Sequence, residues 1–240
     1  MSLMFWEKDG TVARLVMTAG ENRHNLDFID AILTNLDEIE NDAGVTALVL
    51  TSNDPKNFSQ GIDLSWVAPR YSDPAGQQDV KNFLYGLNKM FARLLTFPVP
   101  VIAAINGHAF GDGAIMACAC DFRWMRADRG YFCFPEVDVN IPFLPGMLAV
   151  VSKAFPGPFL NEVYLTGRRV GGEELKSQGV VIGTSPDIES LQADAMASAS
   201  SFNKGRPVFK EIKLRKHQHI LDVFEKEDPP IIEALKVMIM

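Results

Sequence analysis

The chain has 240 residues, of which 47% are hydrophobic and 22% are charged, a composition typical of a soluble globular protein. This excludes an intrinsically disordered chain, because enough apolar side chains are present to build a core. The 30 acidic residues outnumber the 23 Lys and Arg residues and give a formal net charge of −7. An acidic protein is poorly suited to bind nucleic acid or an anionic membrane, so we expect neither as a partner.

The three cysteines, Cys118, Cys120 and Cys133, cannot all pair, so they predict buried thiols in a reduced compartment. No CxxC or HExxH pattern occurs in the sequence, and we therefore expect no metal. The N-terminus becomes charged at Glu7, too early for a secretory signal. No apolar run approaches the ~20 residues that span a bilayer. We expect a cytoplasmic protein.

Strand and helix patterns alternate through the first half of the chain. Strands are predicted over 3–8, 12–18, 45–52, 99–107, 122–127 and 130–134, and helices over 26–41, 79–96 and 110–121. The polar, turn-rich stretch 69–79 is predicted to be a mobile loop. Beyond residue 145 the predicted helices cover 146–155, 158–166, 172–178, 187–203, 206–226 and 230–239. Buried strands joined through helices indicate an α/β fold with parallel strands.

Two glycine-containing segments carry candidate chemistry. In KNFSQGIDL, residues 56–64, Gly61 permits a turn that presents backbone N–H groups to a ligand. An ordinary strand-to-helix turn is the alternative. In FGDGAIMACACD, residues 110–121, glycines precede an apolar helix whose first N–H groups lack intrahelical partners and suit a developing oxyanion. The alternative is that these glycines only permit close packing and that Asp112 caps the helix.

A third segment, YFCFPEVDVNIPFLPG at 131–146, surrounds Glu136 with apolar residues. A carboxylate in such surroundings is costly to ionise, so the pKa of Glu136 should rise. A raised pKa suits a carboxyl group that exchanges protons near neutral pH. A surface glutamate at a turn is the alternative.

Taken together and in this order, the motifs resemble the crotonase superfamily of enoyl-CoA hydratases and isomerases. The resemblance is clearest between about Val45 and Gly183, in VTALVLTS, NFSQGIDL, FPVPVIAAINGHAFGDGAIMACACDFRWM, FPEVDVNI and LTGRRVGGEELKSQGVV. It implies a ClpP/crotonase spiral of ββα repeats over 1–183 and a helical oligomerisation region over 184–240. It also implies an acyl-CoA thioester substrate and a homotrimer or a hexamer built as a dimer of trimers. No cofactor is expected, since coenzyme A is part of the substrate.

The resemblance also implies roles for individual residues. The backbone N–H groups of Ile62 and Asp112 match the pair that holds the thioester oxygen as an enolate forms. The residues expected to bind the substrate and its coenzyme A are Arg23, His24, Ser59, Gln60, Gly61, Asp63, Leu64, Gly111 and Pro135. His24 is expected either to be exposed to solvent or to contact the coenzyme A, and Asp63 is expected to fix the geometry of its loop.

The number of carboxylates separates the reactions of the family. Hydratases resemble a design with two glutamates, and the position of the first is occupied here by Ile115, which cannot transfer a proton. The position of the second is occupied by Glu136. One base with an oxyanion hole suits Δ3-to-Δ2 enoyl-CoA isomerisation. The segment MRADRGYFCFPEVDVNIP is also similar to the Δ3,Δ2-enoyl-CoA isomerase branch.

Two other functions stay open. One is a hydratase or other crotonase-type acyl-CoA lyase that pairs Glu136 with a different acid, and the other is a catalytically weak acyl-CoA-binding protein. Asp112 motivates the first, because it could supply the second acid or base. Asp112 and the absence of a glutamate at Ile115 motivate the other, because an ionised carboxylate that faces the enolate opposes its formation. We expect Asp112 either to point away from the hole at the start of its helix or to act as a second acid or base.

Overall fold

The computed structural model describes residues 2–237. The strands are β1 (Met4–Asp9), β2 (Val12–Met17), β3 (Ala47–Ser52), β4 (Asn57–Ser59), β5 (Val101–Ile105), β6 (His108–Phe110), β7 (Phe122–Arg126), β8 (Phe132–Cys133) and β9 (Gly183–Ser185). The helices are α1 (Leu26–Asn41), α2 (Leu64–Ser72), α3 (Gln77–Thr96), α4 (Asp112–Ala119), α5 (Glu136–Val139), α6 (Pro145–Ala154), α7 (Gly157–Thr166), α8 (Gly172–Ser177), α9 (Ile188–Ser200), α10 (Arg206–Lys226) and α11 (Asp228–Glu233).

The strands form two sheets. The larger sheet has the order β1-β2-β3-β5-β7-β9, and the smaller sheet has the order β4-β6-β8. Strands β1 and β2 are antiparallel, whereas the other neighbouring pairs of both sheets are parallel. Every residue of β3 and β5 is buried, as is usual for parallel strands that are covered on both faces. Helix α9 packs on β3, β5 and β7, and a second apolar cluster lies at this contact.

From β3 onward the chain follows a spiral. Each turn contributes one strand to the larger sheet, the next strand to the smaller sheet, and then a helical segment. Because β4, β6 and β8 are parallel, their carboxyl ends meet at one edge of the smaller sheet. Ile62 follows β4, Asp112 follows β6 and Glu136 follows β8. The topology therefore gathers the three segments that the sequence singled out.

The C-terminal part is helical, as predicted. Helix α10 packs against α3 and α6, and α11 also contacts α3. The boundary predicted between residues 183 and 184 falls within β9, which pairs with β7 of the larger sheet. The end of the helix predicted over 230–239 lies outside the described residues. Among residues 2–237, no helix is both long enough and apolar enough to cross a bilayer.

The mobile loop predicted over 69–79 is wrong. Helix α2 continues through Pro69 to Ser72, and α3 begins only a few residues later, at Gln77. An oxygen of the Asp63 side chain accepts hydrogen bonds from the first N–H groups of α2, which stabilises the start of this helix. The predicted role of Asp63 in fixing its loop agrees with this cap. The prediction of three buried free thiols is confirmed.

Candidate active site

The loop after β4 approaches the start of α4 closely at Gly61. A Cβ atom at this position would lie 2.6 Å from the carbonyl oxygen of Phe110 and 2.9 Å from the nitrogen of Asp112. The φ angle of Gly61 is +73°, which also favours glycine. Within residues 2–237, the N–H groups of Ile62 and Asp112 donate to no other protein group. Two free backbone donors therefore lie at the junction of these two segments.

Helix α4 is built to start at this junction. Gly111, with a φ of +52°, turns the chain from β6 into the helix. Gly113 lies against β4, where a Cβ atom would come within 2.6 Å of the Ser59 side chain. All eight residues of α4 are buried, so its first N–H groups are shielded and its dipole acts in apolar surroundings. This start of a helix suits the binding of an anionic oxygen.

Glu136 approaches the same junction from the third segment. A Cβ atom at Gly111 would lie 3.1 Å from Glu136 Oε1, so glycine leaves room for the carboxyl group. Glu136 Oε2 is shielded from solvent and has no hydrogen-bond partner within the described residues. Burial raises the pKa of Glu136 to about 8. The raised pKa predicted from the sequence is confirmed.

One cavity of about 100 Å³ brings most of the predicted site residues together. Its lining residues are Arg23, Gln60, Ile62, Leu64, Gly111, Asp112, Pro135, Glu136, Val139 and Ile141. Arg23 at its rim is exposed and forms an ion pair with Glu21. Gly61 is not among these lining residues, and Asp63 lines another cavity, of about 370 Å³. Val139 and Ile141 were not among the predicted residues, although they lie in the segment that carries Glu136.

His24 and Ser59 do not reach this cavity with their side chains. The prediction that His24 is exposed to solvent is wrong, because its ring is fully buried and stacks on Phe28 at 4.2 Å. Contact of His24 with coenzyme A stays a prediction. The Ser59 hydroxyl is also buried, and it lies 3.0 Å from His24 Nε2. Substrate binding by the side chain of Ser59 is therefore not supported by its position.

The predicted capping role of Asp112 is wrong, whereas its alternative role as a second acid or base stays a prediction. Its side chain makes no capping hydrogen bond to α4, and Gly111 occupies the N-cap position. One carboxylate oxygen of Asp112 instead binds Nδ1 of His24. The two residues are 88 positions apart, and no local pattern in the sequence connects them.

The comparisons with known proteins agree with this geometry. The family model described as enoyl-CoA hydratase/isomerase matches residues 7–223. "Enoyl-CoA delta isomerase 2, peroxisomal" of Arabidopsis thaliana is 32% identical over 186 residues, which are 76% of this chain and 77% of that protein. A "putative enoyl-CoA hydratase" of Thermus thermophilus is 33% identical over 203 residues, 82% of this chain and 77% of the relative. This chain belongs to the enoyl-CoA hydratase/isomerase family.

The fold is that of the family as well. An enoyl-CoA hydratase/isomerase family protein from Pseudomonas syringae superposes with a TM-score of 0.86 at 22% identity, over 96% of this chain and 97% of that one. The predicted crotonase spiral with a helical C-terminal region is therefore confirmed. In this enzyme, Ile62 and Asp112, whose N–H groups are free, line one cavity together with Glu136, whose carboxyl group has a raised pKa. Such a set can polarise a carbonyl oxygen and move a proton at the adjacent carbon.

Glu136 also lines a second cavity. It has a volume of about 250 Å³ and lies between α5 and α7. Its lining residues are Glu136, Val137, Asn140, Ile141, Pro142, Tyr164 and Leu165. The mostly apolar lining provides room for hydrocarbon next to the carboxyl group.

Proposed function

We propose that this enzyme converts 3-enoyl-CoA thioesters into 2-enoyl-CoA thioesters, with Glu136 as the acid and base. The observation that carries the proposal is that only one of the two carboxylate positions of the two-glutamate design, Glu136, holds a carboxylate, while Ile115 occupies the other. Glu136 has a raised pKa, whereas the second carboxylate position of the two-glutamate design is occupied by a buried isoleucine. A single base that both removes and returns a proton is sufficient for a double-bond shift.

The proposed reaction proceeds through a dienolate. Ionised Glu136 takes a proton from C2 of the substrate, and the electrons of that C–H bond move towards the thioester oxygen. The N–H groups of Ile62 and Asp112 stabilise the negative oxygen. Protonated Glu136 then delivers the proton to C4, and the double bond comes to lie between C2 and C3. No cofactor beyond the coenzyme A of the substrate takes part in these steps.

The test is a spectrophotometric assay with 3-hexenoyl-CoA on the wild type and on Glu136→Gln. Glutamine keeps the size of the side chain but cannot accept the C2 proton. We expect the wild type to form the conjugated product and the variant to lose at least about 10²-fold in kcat, because general base catalysis contributes this much. A variant that retains wild-type turnover would contradict the mechanism. Tight binding of CoA esters without turnover in the wild type would favour a binding protein.

Hydration is a second candidate, and a specific observation favours it. Asp112 Oδ1 and Glu136 Oε2 are both buried, and neither has a partner within the described residues. Both residues also line a cavity of about 30 Å³, a volume sufficient for one water molecule. Incubation of 2-hexenoyl-CoA in ¹⁸O-labelled water distinguishes the reactions. Solvent oxygen at C3 indicates hydration, and its absence alongside conversion of 3-hexenoyl-CoA indicates an isomerase.

We also propose a homotrimer or a dimer of trimers in the cytoplasm. Val208 and Ile212 lie one turn apart on α10 with 66% and 57% of their surfaces exposed, which supports burial of this helix against another subunit. The three free thiols support a reduced compartment. Light scattering during gel filtration should give about three or six times the chain mass of 26.5 kDa. A monomer at micromolar concentration would contradict the assembly.

A further inference from the structure

A buried chain of polar side chains lies behind the two proposed oxyanion donors. Asp112 binds Nδ1 of His24, and Nε2 of His24 lies 3.0 Å from the Ser59 hydroxyl. The Ser59 oxygen accepts a hydrogen bond of 3.1 Å from the N–H group of Gly61. Asp112 is 2% exposed, and the other two side chains are completely buried. This chain links the peptide of one donor, Asp112, to the loop that carries the other donor, Ile62.

The hydrogen bonds of Ser59 restrict the protons of His24. The Ser59 hydroxyl has one proton, and the carbonyl oxygen of Asn22 lies 2.8 Å away to accept it. The hydroxyl oxygen then has only lone pairs left for His24, so His24 Nε2 must carry a proton. A second proton lies between His24 Nδ1 and Asp112, because a buried carboxylate oxygen accepts there. The pair then holds two protons and has no net charge, whichever of the two side chains holds the shared proton.

We propose that His24 is a positioning residue that neutralises Asp112 and thereby permits an enolate to form beside an aspartate. This inference rests on the proposed enolate chemistry of the site. Asp112 lines the cavity together with Glu136, so an uncompensated negative charge there would oppose the enolate. With His24 in place, the Asp112 peptide keeps its donor while its side chain adds no net charge. The link through Ser59 also restrains the Gly61 loop relative to α4.

The test uses acetoacetyl-CoA, whose enolate absorbs in the near ultraviolet and reports directly on the oxyanion hole. The variants are His24→Gln, His24→Gln combined with Asp112→Asn, and His219→Gln as a control on the exposed face of α10. We expect the wild type to bind the ligand as its enolate. In His24→Gln the bound enolate should fall about 10²-fold relative to the bound keto form, because the uncompensated Asp112 carboxylate opposes the enolate by an amount similar to the loss of an oxyanion-hole contact. Asp112→Asn in the same background should restore most of the signal.

The double variant separates the effect of charge from the effect of packing. The charged groups that line the cavity near Asp112 are Glu136 and, at the rim, Arg23. Without His24, the Asp112 carboxylate is left uncompensated, so the enolate deficit of His24→Gln should largely disappear when Asp112→Asn removes that charge. A deficit that Asp112→Asn does not repair overturns the proposal.

Other outcomes are equally decisive. If the His24→Gln variant forms as much enolate as the wild type, the proposal is overturned, and the proposed isomerase function is left intact. A wild type that forms no enolate overturns the oxyanion hole and both proposals with it. If His24→Gln does not fold, ¹⁵N spectra of histidine-labelled wild type provide the test without a variant. A protonated Nε2 on the buried His24 at the pH of activity is expected, and an unprotonated Nε2 overturns the proposal.

Discussion

Glu136 must lose its proton before it can act as a base, so its pKa sets the pH range of the proposed reaction. Burial raises this pKa to about 8. The ionised form therefore gains population as the pH rises, and kcat/KM for 3-hexenoyl-CoA should increase up to about pH 8 and then level off. A rate that is constant between about pH 6 and about pH 9 would contradict this. Activity recovered after return to neutral pH controls for unfolding.

Adding one methyl group at Gly61 tests whether the close approach of the two donor segments is required for activity. In Gly61→Ala the new Cβ atom would clash with the backbone of Phe110 and Asp112, which should separate the donors. We expect kcat to fall about 10²-fold, as for a lost oxyanion donor. Gly10→Ala is the matched control, because Gly10 also has a positive φ, +58°, but no atom lies within 4 Å of the new Cβ. The control should lose about 1 kcal/mol of stability and no activity.

The individual residues were predictable where their neighbours in sequence determine their setting. Glu136 has apolar neighbours on both sides, so its raised pKa follows from the sequence. Gly61 and Gly111 mark turns for the same local reason. The contact of His24 with Asp112 depends on two segments that meet only in the folded chain. Sequence inspection therefore placed His24 in solvent or beside the ligand and left the orientation of Asp112 open.

Two cationic side chains donate hydrogen bonds to backbone carbonyls at the end of helix α4 opposite to the proposed oxyanion hole. Lys153 Nζ lies 2.8 Å and 2.7 Å from the carbonyl oxygens of Cys118 and Cys120. Arg123 donates to the carbonyl oxygen of Cys120 at 2.9 Å. Both cations stabilise the negative end of the helix dipole and satisfy carbonyls that have no intrahelical partner. The position of the first turn of α4, and hence of the Asp112 donor, depends on this support.

Replacing Lys153 tests this support. Lys153→Met removes the charge and leaves buried carbonyls without their donor, so the free energy of unfolding should fall by about 2 kcal/mol. The cost is moderated because burial of the ammonium group is itself unfavourable and lowers the pKa of Lys153 to about 8. Lys89→Met, on the exposed side of α3, should change it by less than about 0.5 kcal/mol. Equal urea midpoints for the two variants would contradict the role of Lys153.

The elements differed in how well the sequence predicted them. The α1 bounds matched because its apolar residues keep helical spacing over all of Leu26–Asn41. Strands β4, β6 and β9 have three residues each, too few to show a period, and their pairing partners define them. Helix α2 was mistaken for a loop because Pro69 and the turn-forming residues after it outweigh the weak helical pattern. The cap from Asp63 and packing against α3 overcome that local preference.

At the scale of the whole molecule, the C-terminal helices help to position α6, which lines the cavity next to Glu136. Asp228, at the start of α11, is completely buried. One of its oxygens accepts a 2.8 Å hydrogen bond from the N–H group of Gly146 in α6, and the other accepts one of 2.8 Å from Asn88 in α3. Helix α6 in turn contributes Met147 to the cavity below Glu136. A contact far from Glu136 in sequence therefore shapes the apolar space next to it.

Asp228→Ala should loosen this connection. It leaves the Gly146 N–H and the Asn88 amide without their acceptor and removes a negative charge from the start of α6, so we expect a loss of about 3 kcal/mol in the free energy of unfolding. Because α6 lines the cavity, KM for 3-hexenoyl-CoA should rise more than kcat falls. Asp222→Ala is the control, since its side chain is 41% exposed on α10 and its ion pair with Lys226 contributes at most about 0.5 kcal/mol. Urea unfolding with steady-state kinetics checks both effects, and an Asp228→Ala variant as stable as the control would show that the C-terminal helices dock without this carboxylate.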